Sequence, residues 1–489
     1  MKVSRIMSTQ HPDNVRPPFF SDRIVLEGDD EIREAFYAYS HLNIEEQLWD
    51  CEGKETDNYV VKKLLSRYEP FFSKKRLGKD IFLTYRVPNP RVESGEGKIL
   101  LETLESIPRS FDMARLFYHD DIAPVFEVCL PMTESPGGLI RMARYYQKIV
   151  VGKQHMRFAD KDISIAEWIG KFMPEKIRVT PLIEEKEAML NAHRIAHAYI
   201  KAEKIEQFQR VWLARSDPAL NYGSLAAVLI EKIALMDLWK LQEKTSVDIL
   251  PILGCGSTPF RGNFKPQNVD AMLSEYPSVQ TFTVQSAFKY DNAEQEVLEG
   301  IEQVKGRRRK PPADVDRQAL LSIIDRTSEQ YFKEVSLLAD RINDFSSFIP
   351  RRRLRKLHIG LLGYSRQTKG LKLPRAIKFC ASLYSMGFPP EMLGLSALKK
   401  KDLATIEQAY PGFLIDLRDA MQYFNKDNMR YLPKEMRRAA SFAQDLVKVP
   451  ANPKHNKITS IIMDDLAKGR IRVLEENITR AGWIRGFLG

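Results

Sequence analysis

One rhythm constrains this chain more than any other feature: a short apolar run, a polar cluster, then a helical stretch, repeated along much of the sequence. Eight such runs occur: KVSRIMSTQ from residue 2, IFLTYRV from 81, VFEVCLPM from 125, IRVTPLI from 177, VWLARS from 211, DILPIL from 248, VQTFTV from 279 and LHIGLLGY from 357. Runs of this length and composition suit strands buried on both faces, as in parallel sheets. Helical patterns such as 184–204 and 223–241 lie between them. Eight strands alternating with helices predict an α/β fold, a (β/α)8 TIM-type barrel. Its strands spread over about residues 1–370. Surplus helix is expected at 29–79, at 313–346 and through a helical C-terminal part, about 371–489. No linker or repeat divides the chain, so a single domain is expected over 1–489.

Composition narrows the class. No run of about 18 apolar residues is present, so nothing is expected to span a membrane, and the start of the chain lacks the order of a signal peptide. Four cysteines (Cys51, Cys129, Cys255, Cys380) stand apart, without CxxC or CxxH spacing. That argues against a disulfide framework or a zinc site and for a reducing, cytoplasmic setting. The formal charge of +11 favours anionic partners. Two basic runs stand out, KGRRRKPP at 305–312 and PRRRLRK at 350–356. The first reads as a flexible exposed loop, a candidate lid, and the second as a segment held near ordered structure.

In a barrel of this kind, chemistry gathers at the C-terminal ends of the strands. Polar residues stand there after seven of the eight expected strands: His11, Arg86, Glu184, Ser216-Asp217, the loop carrying Arg261, Gln285 and Arg366. Glu184 and Asp217 lie one βα unit apart, so both carboxylates should reach the mouth and could bind Mg²⁺, which keeps waters and needs few protein ligands. Each could equally cap a helix. The loop GCGSTPFRGNF at 254–264 sets small residues, among them Gly256 and Ser257, beside Arg261. Such a loop can bring amides and a charged fork to an anion, or can simply be a tight turn. His11 could transfer protons or only hydrogen-bond within its turn. Together, these groups suit a Mg²⁺-assisted reaction on a small, multiply anionic substrate.

The segments STQHPDN, TPLIEE, ARSDPALNYG, GCGSTPFRGNF, TVQSAFKYD and HIGLLGYSR, followed by SLYSMGFPPEMLG at 382–394, resemble in the same order the compact, archaeal-type phosphoenolpyruvate carboxylase family. The resemblance implies conversion of phosphoenolpyruvate and bicarbonate to oxaloacetate and phosphate, through carboxyphosphate and a pyruvate enolate stabilised by Mg²⁺ or Mn²⁺. It implies metal ligation by Glu184 and Asp217, and a proton-transfer role for His11, placed as in the THPTE turn of the larger enzymes. Arg261 takes the place of the second arginine in their GRGGSxGRGG loop. Arg86 and Arg366 are implied on the substrate side, with Gly256, Ser257 and Gln285 as substrate-binding groups. A homotetramer is also implied, with long C-terminal helices such as 433–448 as a possible interface.

The chain departs from the larger enzymes in several places. The lysine of their SDSxKDxG motif falls at Leu220, and the HGRGG half of their loop is Leu253-Gly254-Cys255-Gly256-Ser257. Another cation must offset the substrate charge, and Arg215 is the candidate. The ending ITRAGWIRGFLG keeps a final glycine but not the RNTG end, and Lys426 corresponds only loosely to an effector-site lysine, so feedback by dicarboxylates is not implied. Two rival readings follow from the residues. One is another Mg²⁺-enolate barrel enzyme, a C–C lyase or aldolase. The other is a nucleic-acid-binding protein using the two arginine runs; it lacks interleaved aromatics for stacking, and no nucleic-acid partner is expected.

Overall fold

The computed structural model describes residues 3–52, 57–93, 95, 97–354, 367, 368 and 370–489. Eight strands close into one parallel barrel: β1 (Ile6–Ser8), β2 (Glu46–Asp50), β3 (Phe82–Arg86), β4 (Glu127–Leu130), β5 (Arg178–Ile183), β6 (Phe208–Ala214), β7 (Asp248–Gly254) and β8 (Thr281–Val284). Each pairs with the next, and β8 returns to β1 with Met7 opposite Thr283. The expected (β/α)8 barrel is therefore present, with one strand reassigned. Glu46–Asp50 occupies the place after β1, inside a stretch read from sequence as helix. The run from 357, taken as the eighth strand, lies outside the described residues, as does Arg366.

The reason β2 escapes an apolar-run search is visible in its register. Side chains alternate along a strand, and Glu46, Leu48 and Asp50 share one face, which points into the barrel. Around Glu46 the even-numbered strands contribute one side chain each to a single layer, as barrel packing favours: Glu46, Glu127, Arg210 and Thr281. Arg210 donates to Glu46 at 2.8 and 2.9 Å, to Glu127 at 3.2 Å and to Thr281 at 3.3 Å. Ser4 and Thr84 donate to Glu46, and Thr180 to Glu127. Burial works against the Arg210 charge, but the two glutamates more than restore it and raise its pKa. Above this polar layer sits an apolar one, with Met7, Leu48, Cys129, Leu182, Trp212 and Ile252 buried together. All four cysteines are buried and unbridged.

The segment 305–312 is not a lid over the mouth. Arg307 donates to the carbonyls of Pro277 and Val279, and Arg309 to those of Ser278 and Ile249. Those carbonyls lie at the N-terminal ends of β7 and β8, opposite the catalytic end, so the basic run straps the bottom of the barrel. Arg5, leading into β1, donates to the carbonyls of Lys305 and Arg307 and ties the strap down.

The second basic run behaves differently. Arg352 and Arg353 are buried, and Leu26 clamps this segment through 3.0 Å backbone bonds with Arg352 and Leu354. The helix Asp29–Ser40 supplies Glu31 and Glu34, which bind Arg353 at 2.9 and 2.7 Å. The C-terminal helices fold back over the same end of the barrel. Phe379 of helix Ala376–Ser385 packs on Phe260 at 5.5 Å, and Asp419 binds Lys265 at 2.8 Å. Among the described residues no helix is long and apolar enough to cross a membrane.

Candidate active site

The strand ends and the C-terminal helices enclose a cavity of about 500 Å³. Of the residues singled out in the sequence, His11, Arg86, Glu184, Arg215, Asp217, Arg261 and Gln285 line it. Gly256 and Ser257 are not on its wall, and Arg366 lies outside the described residues. Eight basic side chains line the cavity (Arg86, Arg215, Arg261, Arg351, Arg352, Arg353, Arg375 and Lys378) against three acidic ones, Glu52, Glu184 and Asp217. Guanidinium groups on a cavity wall suit an anionic substrate, and carboxylates behind the wall (Asp13, Glu31, Glu34, Asp50 and Glu231) hold four of them in place. Arg352 and Arg353 are buried where sequence alone allowed a surface patch, while Arg351 reaches the same cavity from an exposed position.

The N-terminal turn is built as a rigid bracket. Thr9 continues the β1–β8 ladder through a 2.9 Å bond to the Val284 carbonyl. His11 Nδ1 lies 2.9 Å from the Thr9 hydroxyl, which orients the ring. Asp13 accepts from the Ala287 amide at 2.7 Å and from Arg261 at 3.3 Å. Burial pushes the Asp13 carboxyl above its usual range, with Arg261 pulling the other way. Asp291 accepts from the amides of Val15 and Arg16 at 2.7 and 2.8 Å. Lys289 reaches the Ser8 hydroxyl at 2.9 Å, the Thr9 carbonyl at 3.1 Å and Glu34 at 3.0 Å. The FKYD motif thus fastens the histidine turn to the barrel. For Glu34, burial opposes the charge, but Arg353 and Lys289 outweigh it and hold the carboxyl well below its usual range.

The glycine-rich loop works through its arginine. Its amides are satisfied within the bracket: Gly256 donates to the Arg261 carbonyl at 2.7 Å, Phe264 to the Gly256 carbonyl at 3.0 Å, and Ser257 to Asp13 at 3.4 Å. A Cβ on Gly256 would sit 3.0 Å from the Arg261 guanidinium, so the glycine makes room for that side chain. Arg261 donates to Ser216 at 3.0 Å, to the Gly489 backbone oxygen at 2.8 Å and to Gln285. It is buried, and a side chain at 489 would collide with the Ile377 carbonyl.

Two further arginines are paired. Arg86 donates to both Asp50 oxygens at 2.8 and 2.7 Å and lies 3.1 Å from Glu52. Burial works against the Arg86 charge, and the two carboxylates more than restore it. Asp50 and Glu52 went unnoticed in the sequence because β2 did. The Arg215 guanidinium donates to Ser224 at 3.2 and 3.3 Å and lies 3.9 Å from buried Glu231. Burial pushes Glu231 up to about 7 despite that arginine.

Glu184 follows β5 directly, and Asp217 lies in the first turn of helix Ser216–Tyr222 after β6, so the two carboxylates come from neighbouring strands. Among the described residues no three His, Cys, Asp or Glu side chains are grouped as a metal cage. A pair of carboxylates on the wall of a cavity is the donor set that suits Mg²⁺ or Mn²⁺ sharing waters and substrate oxygens, and does not suit a closed zinc site.

Barrel enzymes that act on small anions are the class to which this cationic mouth belongs. Comparison with known proteins narrows the class. Residues 3–489 match the family model described as phosphoenolpyruvate carboxylase. Curated phosphoenolpyruvate carboxylases are similar along the whole chain: that of Methanospirillum hungatei is 48% identical over 489 residues, and that of Methanothermobacter thermautotrophicus 50%, each covering 100% of both sequences. That of Halobacterium salinarum is 47% identical over 492 residues, 100% of this chain and 99% of its own. A solved malate synthase of Haloferax volcanii covers 71% of this chain and 81% of its own at 10% identity, with a TM-score of 0.39, too low to bear on the argument. The chain belongs to the phosphoenolpyruvate carboxylase family, in its compact archaeal type, and is an enzyme that carboxylates phosphoenolpyruvate.

Proposed function

We propose that this cavity joins phosphoenolpyruvate and bicarbonate in two steps and releases oxaloacetate and phosphate. The observation that carries the reading is the convergence of His11, Glu184, Asp217 and Arg261 on one cationic cavity at the strand ends. In the first step a bicarbonate oxygen bonds to phosphorus as the bond from phosphorus to the enol oxygen breaks. That electron pair leaves on the enolate of pyruvate, and carboxyphosphate is the other product. Arg261 meets the charge spreading over the phosphoryl oxygens. Asp13, Gln285 and the Gly256-Ser257 turn hold it in place, so the last three act on substrate through Arg261. Glu184 and Asp217 would hold the divalent ion, whose chemistry is neutralisation of charge on substrate oxygens. Arg215 stands behind the loop, and Arg86, held in place by Asp50 and Glu52, presents its guanidinium across the mouth.

In the second step carboxyphosphate breaks its carbon–oxygen bond to phosphate, His11 takes its proton, and carbon dioxide is released beside the enolate. The enolate methylene carbon then bonds to carbon dioxide. Water must be excluded, or the enolate is protonated to pyruvate; the C-terminal helices over the mouth serve that purpose. The enzyme works as a homotetramer in a reducing, cytoplasmic setting.

The test is His11→Asn in an assay coupled to malate dehydrogenase, with and without bicarbonate. Phosphoenolpyruvate binding should be kept, while oxaloacetate formation falls by about 10²–10⁴-fold. Normal turnover in the variant would remove His11 from the proton path. Phosphate released with pyruvate by the wild type would limit the cavity to the phosphoryl half of the reaction.

A further inference from the structure

Residues 345–390 hold ten lysines and arginines and no aspartate or glutamate, in a chain whose basic residues exceed its acidic ones only by 75 to 64. This acid-free stretch delivers five cations to the cavity wall: Arg351, Arg352, Arg353, Arg375 and Lys378. Their settings differ. Arg353 is fixed by Glu31 and Glu34. Buried Arg352 donates to the carbonyls of Asn14 and Arg351 at 3.3 and 3.2 Å, and Asp291 and Glu475 offset part of the cost of burying its charge. Among the described residues, Arg351 and Lys378 have no carboxylate partner.

Lys378 lies in the first turn of helix Ala376–Ser385, half-buried on the cavity wall. Its ammonium donates to the Ser346 carbonyl at 3.0 Å, which fixes where the charge sits. Burial and the nearby charge of Arg351 both push it below its ordinary range. An ammonium in that position gains from any anion that settles beside it. The surrounding stretch has no carboxylate to offer, so the anion comes from solution.

We infer that Lys378, with Arg351, binds bicarbonate. This subsite rests on the two-substrate reading, in which bicarbonate and phosphoenolpyruvate occupy the cavity together. The more highly charged of the two suits the barrel wall, where Arg86, Arg215 and Arg261 stand with Glu184 and Asp217. A compact point charge with one guanidinium fork nearby suits a small oxyanion of single charge. The lysine of the larger enzymes' SDSxKDxG motif falls at Leu220 here, and Lys378 brings an ammonium to the mouth from a different element.

The test is steady-state kinetics of full-length wild type, Lys378→Met, Lys378→Arg and Arg351→Gln, varying each substrate while the other saturates, in buffers stripped of carbon dioxide. Lys378→Met should raise KM for bicarbonate by about 10–100-fold, as loss of one charge-assisted hydrogen bond does, and leave KM for phosphoenolpyruvate within about 3-fold. Lys378→Arg should recover most of that loss. Arg351→Gln, at an exposed position, should raise KM for bicarbonate by about 2–5-fold, and it decides the matter if Lys378→Met does not fold. A rise in KM for phosphoenolpyruvate instead would give these cations to the other substrate and overturn the inference. Unchanged constants in the variants would overturn it as well. A wild type whose turnover does not depend on bicarbonate would overturn the two-substrate reading, and the subsite with it.

Discussion

The two ends of the barrel are both polar, and they use polarity in opposite ways. At the bottom Arg210 is enclosed by Glu46 and Glu127, with hydroxyls filling the remaining directions, and all three charged side chains are almost wholly buried. At the mouth the basic groups outnumber the acidic ones and face a cavity. A charged residue at a strand end is therefore no mark of a site by itself. The mark is a set of cationic side chains that reach the wall of a space for a ligand, as they do at the mouth and not in the bottom layer.

Arg210→Met tests that contrast most severely. It leaves two glutamates buried without their cation, so stability should fall by about 3–5 kcal/mol in urea unfolding. The enzyme that stays folded should keep its KM for phosphoenolpyruvate. Replacing Arg210, Glu46 and Glu127 together by apolar residues should recover most of the loss. At the mouth, Arg261→Lys should do the reverse and lower kcat/KM by about 10²–10³-fold, because an ammonium cannot reproduce the planar fork. Thermal melting should move far less than in the Arg210 variant. Equal effects on stability would erase the distinction between the two ends.

Glu231, behind the mouth, gives a smaller and finer test. Its folded pKa of about 7 lies above the ordinary 4.5, so folding takes up a proton there. Its contribution to stability is full below about 4.5 and is lost as pH rises through 7. Glu231→Gln should remove that slope, worth on the order of 2 kcal/mol between pH 5 and 7. Melting temperature against pH for the two proteins checks the sign.

Much of this was legible in the sequence, and the gaps have a common cause. Seven strands announced themselves by apolar runs because their outer faces pack under helices. The other, Glu46–Asp50, puts Glu46 and Asp50 into the barrel and so looked like the face of a solvated helix. With it went Asp50 and Glu52, the partners of Arg86. The convergence of His11, Glu184, Asp217, Arg261 and Gln285 could be read because each follows a strand. Asp13 could have been found in the HPDN turn itself, yet its partners lie 244 and 248 residues away, at Ser257 and Arg261. The run at 305–312 read as a loose lid and is a strap at the bottom of the barrel, since composition carries no record of which carbonyls a guanidinium will meet.

The pairing of β8 with β1 has a consequence for how the molecule is made. Ile6, Met7 and Ser8 find their second neighbours at Phe282, Thr283 and Val284. On a ribosome delivering about 5–20 residues per second, the first strand therefore waits tens of seconds, with one edge open, for the segment that closes the ring. Contacts of such sequence separation form slowly, and open strand edges invite pairing with other chains. The histidine turn, bracketed by residues from that late segment, takes its working shape only once the nascent chain has run well past its first half.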